Sequence, residues 1–364
     1  MAPRPDDINK DIKEGASSKV DVGAILRKKP WITALVAALI LAGIILLYIF
    51  LPAVANRAET SAIIKIPNNA TPEMVKDSIA KYLGDKYASK VMMMTLARKG
   101  NPHKRHGAFE IKEGMSPMEA ERALSVGPQK PVKVTINNAR GTNILADRIS
   151  QKLDFSADSL INYLKDENNL KEYGINSEQA LALFIDDTYE MFWNASPKGV
   201  TDKLGSHFKK VWNDQRLEKA KKIGLTPAEV VTLASIVDEE TLKMDEKPKV
   251  ARLYLNRLDK NMKLQADPTV KFALGDFSLR RILNKHLEVE SPYNTYKVTG
   301  LPPGPIRTVT VKDIDAVLDA PQHDYLYMCA KEDFSGYHAF AETYSEHMEN
   351  ARRYQRALNE RGIK

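Results

Sequence analysis

The chain has 364 residues, too many for one compact domain of ordinary size, so length alone predicts two or three units. Lys and Arg number 54 against 47 Asp and Glu, a net charge of +7. No dense basic block with interleaved aromatics accompanies that excess, which argues against nucleic acid and leaves an anionic lipid or polymer as partner. The lone cysteine, Cys329, excludes an intramolecular disulfide and a cysteine-based zinc site.

Near the start, Trp31 to Leu51 reads WITALVAALILAGIILLYIFL without a charged residue. About 20 apolar helical residues cross a hydrocarbon core of about 30 Å, so residues 31–53 are expected to span a lipid bilayer. The run is too long for a signal-peptide core, and no clean cleavage site follows it. Arg27, Lys28 and Lys29 stand just before it. The positive-inside rule then puts residues 1–30 in the cytoplasm, the first 25 as a disordered tail, and the body from about residue 54 outside.

Three segments then repeat a strand–turn–helix pattern. In the first, from Ile63, Thr71 suits an N-cap with Pro72 at the first helical position. In the second, from Ala108, Ser116, Pro117 and Glu119 have the spacing of a capping box. In the third, Val132, Val134 and Ile136 alternate as in a strand, and Ile144, Leu145, Ile149 and Leu153 follow at helical spacing. Between the first two lies the basic run KGNPHKRHG, Lys99 to Gly107, whose His103 and His106 read as solvated, not as metal ligands.

From about residue 155 the chain reads as mostly helical. Helices are predicted over 156–165, 177–183, 227–242, 248–259, 311–320 and 344–360. The stretch from Gln265 to Ile306, containing QADPTV and SPYNTYKVTGLPPGPI, reads as ordered loops suited to the floor or rim of a cleft.

The helix after Thr226 carries the chemistry. Thr226, Pro227 and Glu229 form its start, and VVTLASIVDEET follows. Glu240 lies on one helical face with Leu233, Ile236 and Val237, while Asp238 and Glu239 point away. A carboxyl on a buried apolar face is desolvated, which raises its pKa into the range a general acid needs. The same position also fits a structural glutamate paired with an arginine such as Arg257.

The outer part of the chain, from roughly residue 60, resembles the YceG-like endolytic murein transglycosylases. The segments that carry the likeness occur in order: ASIVDEET (Ala234–Thr241), LYLNRL (Leu253–Leu258), KLQADPTV (Lys263–Val270), YNTY (Tyr293–Tyr296), GLPPGPI (Gly300–Ile306), and DYLYMCA with Gly336-Tyr337-His338. The resemblance places the catalytic glutamate at Glu240. It implies an α+β chain: a transmembrane helix, a LysM-like α+β module over 58–130, and a mainly helical catalytic domain over 131–364 with a loop-lined cleft. It also implies cleavage of peptidoglycan glycan strands with anhydro ends, work beside peptidoglycan synthases, and no cofactor. Asn256, Gln265, Tyr293, Asn294 and Tyr296 are the candidate substrate-binding residues. Asp238 stands where the family usually has Glu, and Asp186 where it usually has proline. Asp267 precedes Pro268, which predicts an extended or turn conformation and a structural role. Two rival readings stay open: a non-catalytic glycan-binding scaffold, and a hydrolase using Glu240 and Asp267 as a pair.

Overall fold

The computed structural model describes residues 30–279 and 281–362, without the side chains of 30, 48–50 and 52–55. The cytoplasmic tail expected before residue 30 lies outside the described residues.

Helix α1, Pro30–Ala55, is 26 residues long and uncharged. Its described side chains run from 31 to 47, with Leu51, and all but one are exposed. Among the described residues no helix is long and apolar enough to cross a membrane. Tyr48 to Phe50 of the expected span lie where side chains are not described.

The described residues divide into two compact units, one built from those up to 64 together with 71–103 and 110–127, the other from 65–70, 104–109 and those from 128 onward. The elements up to residue 127 are β1 (Ala62–Ile66), α2 (Pro72–Leu83), α3 (Asp85–Ala97), β2 (Gly107–Ile111) and α4 (Pro117–Val126), with β1 and β2 forming a two-stranded sheet. The predicted caps hold: Thr71 accepts the amide of Met74, and Ser116 and Glu119 complete a reciprocal box. Val75 and Ile79 of α2, Val91 and Met94 of α3 and Leu124 of α4 supply the buried apolar core of the smaller unit.

The larger unit opens with β3 (Val132–Ile136), α5 (Thr142–Ser150) and α6 (Ala157–Lys165). Strand β4 (Asp187–Met191) follows and pairs antiparallel with β3, Val134 opposite Tyr189. Helices α7 (Pro197–Val211), α8 (Asp214–Lys222), α9 (Pro227–Glu240), α10 (Lys247–Asp259), α11 (Asp267–Leu274) and α12 (Val311–Leu318) come next. Strands β5 (Tyr327–Ala330) and β6 (His338–Ala341) form an antiparallel hairpin, and α13 (Tyr344–Glu360) ends the chain. The helix expected over 177–183 is a single 3₁₀ turn, Ala180–Leu183. Asp267 is not extended but opens α11, because Pro268 is tolerated in the first helical turn.

Helix α9 is the axis of this unit. Every residue from Val230 to Val237 is buried, so the single apolar stripe expected there is a helix enclosed on all sides. The GLPPGPI loop packs onto it: Ser235 Oγ accepts the amide of Ile306 at 3.0 Å. A Cβ at Gly304 would come within 2.2 Å of the Glu178 carbonyl oxygen, so only glycine permits that approach. Asp186 donates its amide to the Val309 carbonyl at 2.8 Å, a bond a proline could not make, and accepts the Asn138 amide at 3.1 Å.

Candidate active site

The enclosed helix α9 delivers three acidic residues to its last turn, and their surroundings separate them. Asp238 bonds Lys247 and, at 2.8 Å, Arg307, and Lys247 also holds Asp313 at 2.6 Å. Glu239 is gripped by Arg140 at 2.7 Å and Arg307 at 2.8 Å. Both therefore turn away from the apolar stripe, as expected, but into a network of ion pairs, not into solvent.

Glu240, the last residue of α9, takes no arginine. Its Oε1 accepts the Tyr254 hydroxyl at 2.9 Å. It lines a pocket of about 240 Å³ shared with Tyr254, Arg257, Gln265, Asp267, Tyr296, Cys329 and His338. The carboxyl is partly open to this pocket but otherwise surrounded by protein. Burial raises it from the ordinary glutamate range to about 7. The neighbouring Asp267 charge pushes the same way, while the Tyr254 bond, His338 and Arg257 pull it down. Arg257 is not its ion-pair partner: the guanidinium donates to the carbonyls of Leu326 (2.7 Å), Leu264 (2.6 Å) and Lys263 (3.3 Å).

On the facing wall, Asp267 accepts the Tyr296 hydroxyl at 2.6 Å. Burial and that bond push the Tyr296 hydroxyl well above its usual range, so it remains the donor. Gln265 reaches the pocket from a left-handed backbone conformation, φ 51°, uncommon for a residue with a side chain and frequent where a site imposes it. His338 on β6 sets Nδ1 against Glu246 Oε2 at 2.9 Å. Glu246 also accepts the His338 amide (2.7 Å) and the Thr241 hydroxyl (2.9 Å), so the ring is held through Nδ1–H.

Of the candidate residues, the structure thus brings Gln265 and Tyr296 to the pocket of Glu240. Asn256 is not there: its Nδ2 donates to the carbonyls of His323 (2.7 Å) and Tyr325 (3.0 Å), and its Oδ1 accepts from Arg252 (2.7 Å). Asn294 is fully buried, donating to the carbonyls of Leu287 and Val289, both at 2.8 Å. Tyr293 lines a different pocket, its ring 4.7 Å from that of Phe272. Tyr254 has no sequence signal of its own, since in LYLNRL it reads as one more apolar-face residue. Only the packing of α10 against α9 brings its hydroxyl to Glu240. His106 is not simply solvated, because Nε2 meets Asp154 Oδ2 at 2.8 Å. Among the described residues no cluster of His, Cys, Asp or Glu is arranged to hold a metal ion.

Residues 64–353 match the YceG-like family. The chain belongs to that family. Among its YceG-like relatives, the endolytic murein transglycosylase of Bacillus subtilis (strain 168) is 28% identical over 324 residues, covering 85% of this chain and 89% of its own length. The endolytic murein transglycosylase of Streptococcus pneumoniae serotype 2 is 24% identical over 254 residues, covering 62% of this chain and 46% of its own. A crystal structure of a YceG-like protein from Listeria monocytogenes covers 79% of this chain and 98% of that one, with a TM-score of 0.54 at 23% identity, a likeness of fold.

Proposed function

We propose that this chain is a membrane-anchored lytic transglycosylase that cuts peptidoglycan glycan strands at the bond from N-acetylmuramic acid to N-acetylglucosamine. One observation carries the reading: the carboxyl of Glu240, near pKa 7, lies in a pocket where, among the described residues, a tyrosine hydroxyl alone bonds it. Near neutral pH, Glu240 protonates the glycosidic oxygen as the anomeric C–O bond breaks. The resulting carboxylate then takes the proton of the same sugar's 6-hydroxyl, whose oxygen closes on the anomeric carbon. The product is a 1,6-anhydro end, no water is consumed, and Glu240 returns to the acid. Tyr254 steadies the intervening carboxylate. Gln265 and Tyr296, which line the same pocket, bond the sugar in this reading.

Asp267 lines the same pocket and favours a second reading, a hydrolase with two carboxylates. Its bond to Tyr296 suits a positioning role instead. The products decide between them. Mass analysis of glycan strands digested by the purified chain should find anhydro ends, each one water lighter than a hydrolysed end. Hydrated ends would establish the paired-carboxylate hydrolase, and tight binding without cleavage would establish the scaffold.

Two further assignments belong to this reading. Helix α1 exposes Trp31, Leu39, Ile44 and Leu47, a surface that suits lipid better than water, and we assign it as the anchor in the cytoplasmic membrane. The order β1–α2–α3–β2 supports a LysM-like character for the module before residue 130. Strand cleavage beside the membrane would end the elongation of nascent strands, with peptidoglycan synthases as partners.

A further inference from the structure

A second pocket, of about 410 Å³, lies in the larger unit and shares no lining residue with that of Glu240. Its wall contains Phe272, Phe277 and Tyr293, with Arg140, Asn143 and Glu178 among its polar groups. The aromatic rings form one continuous cluster: Phe272 lies 4.7 Å from Tyr293 and 6.4 Å from Phe277, centroid to centroid. Phe277 is more than one-third exposed.

The two pockets are joined by α11. The helix starts at Asp267 in the first pocket, and Phe272, Gly275 and Phe277 at and beyond its other end line the second. Eight residues at 1.5 Å each make it about 12 Å long, close to the reach of a two-sugar unit. A second link is electrostatic. Arg140 of the second pocket is committed to Glu239, the residue before Glu240, by contacts of 2.7, 3.0 and 3.1 Å. That pairing neutralises the cation, whose guanidinium lies over one face of Phe277 at 5.0 Å, and the wall then offers the remaining aromatic surface, an amide and a carboxylate. These suit the C–H face and hydroxyls of a neutral sugar and not a polyanion.

On the proposed function as its basis, we propose that this second pocket is a glycan subsite. It holds an N-acetylated sugar of the same strand, about one disaccharide from the bond that Glu240 cuts. A polymer must continue beyond the cleavage pocket, and this pocket stands where a strand running along α11 would arrive. Its contribution is to make long strands better substrates than short ones.

The test compares kcat/KM of the full-length chain on long glycan strands and on a fragment short enough to fill only the Glu240 pocket. Phe277→Ala removes a ring that is more than one-third exposed and lies outside the main apolar core. It should lower kcat/KM on long strands about tenfold and leave the short fragment unchanged, with the melting temperature unmoved. Phe277→Trp, which keeps an aromatic face, should retain most of the preference for length. Asn143→Ala provides a polar counterpart on the same wall and should act in the same direction. Unchanged cleavage of long strands by both alanine variants would overturn the subsite. So would an equal loss on both substrates, which would locate the damage at the cleavage pocket. If the unaltered chain cuts neither substrate, the underlying function fails, an outcome distinct from either of these.

Discussion

Tyr254 donates its hydroxyl hydrogen to Oε1 of Glu240 across 2.9 Å and thereby ties α10 to the last residue of α9. The bond favours the ionised carboxylate, whereas burial favours the acid, and burial is the larger effect. A group balanced near 7 can both give up and take back a proton in one turnover.

Glu240→Gln should reduce cleavage by at least about 10²-fold, because the amide keeps the shape but carries no transferable proton. The fold should survive. Its pH dependence has a definite sign. The folded carboxyl titrates near 7, above its unfolded value of 4.5, so its contribution to stability is full below about 4.5 and is lost as pH rises through 7. Urea melts of the wild type against Glu240→Gln should therefore diverge between these pH values, the wild type losing on the order of 3 kcal/mol relative to the variant. Parallel curves would remove the raised pKa.

Tyr254→Phe keeps the ring and removes the hydroxyl. Glu240 should then hold its proton to higher pH, so the alkaline fall in kcat/KM moves upward. The maximal rate should drop about tenfold, since the carboxylate formed in mid-reaction loses its donor. A pH–rate profile measures both changes, and an unmoved alkaline limb would count against Tyr254 as the tuning group.

Asp238→Asn should not be mild. The side chain joins Lys247 to Arg307 where solvent scarcely reaches, and neutralising it leaves two cations sharing the remaining acids Asp313 and Glu239. A loss of about 2 kcal/mol is expected in thermal or denaturant unfolding. Activity per folded molecule should change far less than in Glu240→Gln.

Asn294→Ala should act on stability, not on turnover. The side chain is wholly buried and ties the carbonyls of Leu287 and Val289 to the Tyr296 amide, so its removal should cost about 2 kcal/mol. Normal stability with a large loss of activity would return this residue to the substrate.

Membrane orientation has its own check. On the anchor proposed for α1, the positive-inside rule applied to Arg27, Lys28 and Lys29 predicts that protease added to spheroplasts degrades the body of the chain and spares the first 25 residues. The reverse pattern would invert the topology.

Much of the local structure was legible because capping and alternation are written within a few residues. The reciprocal boxes at Thr226–Glu229 and Ser116–Glu119 and the alternating strand from Val132 all formed where their spacing placed them. What was not legible depends on partners distant in the chain. Strand β4 puts only Tyr189 and Met191 inward and needs β3 to complete it. The charged α8, DQRLEKAKK, buries Ala220 alone and so lacks an apolar stripe to announce it. At the site, Glu240 stood out through its apolar neighbours in sequence. Asn294 in its loop and Asn256 on α10 read as sugar ligands because an asparagine bonding main-chain carbonyls has the same local sequence as one bonding substrate.

Arg257 has one further consequence. Among the described residues its hydrogen bonds run to carbonyl oxygens: those of Lys263, Leu264 and Leu326, and that of the Gln265 side-chain amide. Neutral dipoles solvate a guanidinium without cancelling it, so a whole positive charge stands behind the pocket, available when Glu240 gives up its proton. The same planar fork clamps the 263–265 segment to the start of β5, two stretches some sixty residues apart. A lysine at 257 would keep the charge and reach fewer of these oxygens, leaving the two walls free to slide past each other. One side chain thus acts as both tie-rod and standing electrode for the pocket, and the gap between the walls and the field across them cannot drift independently.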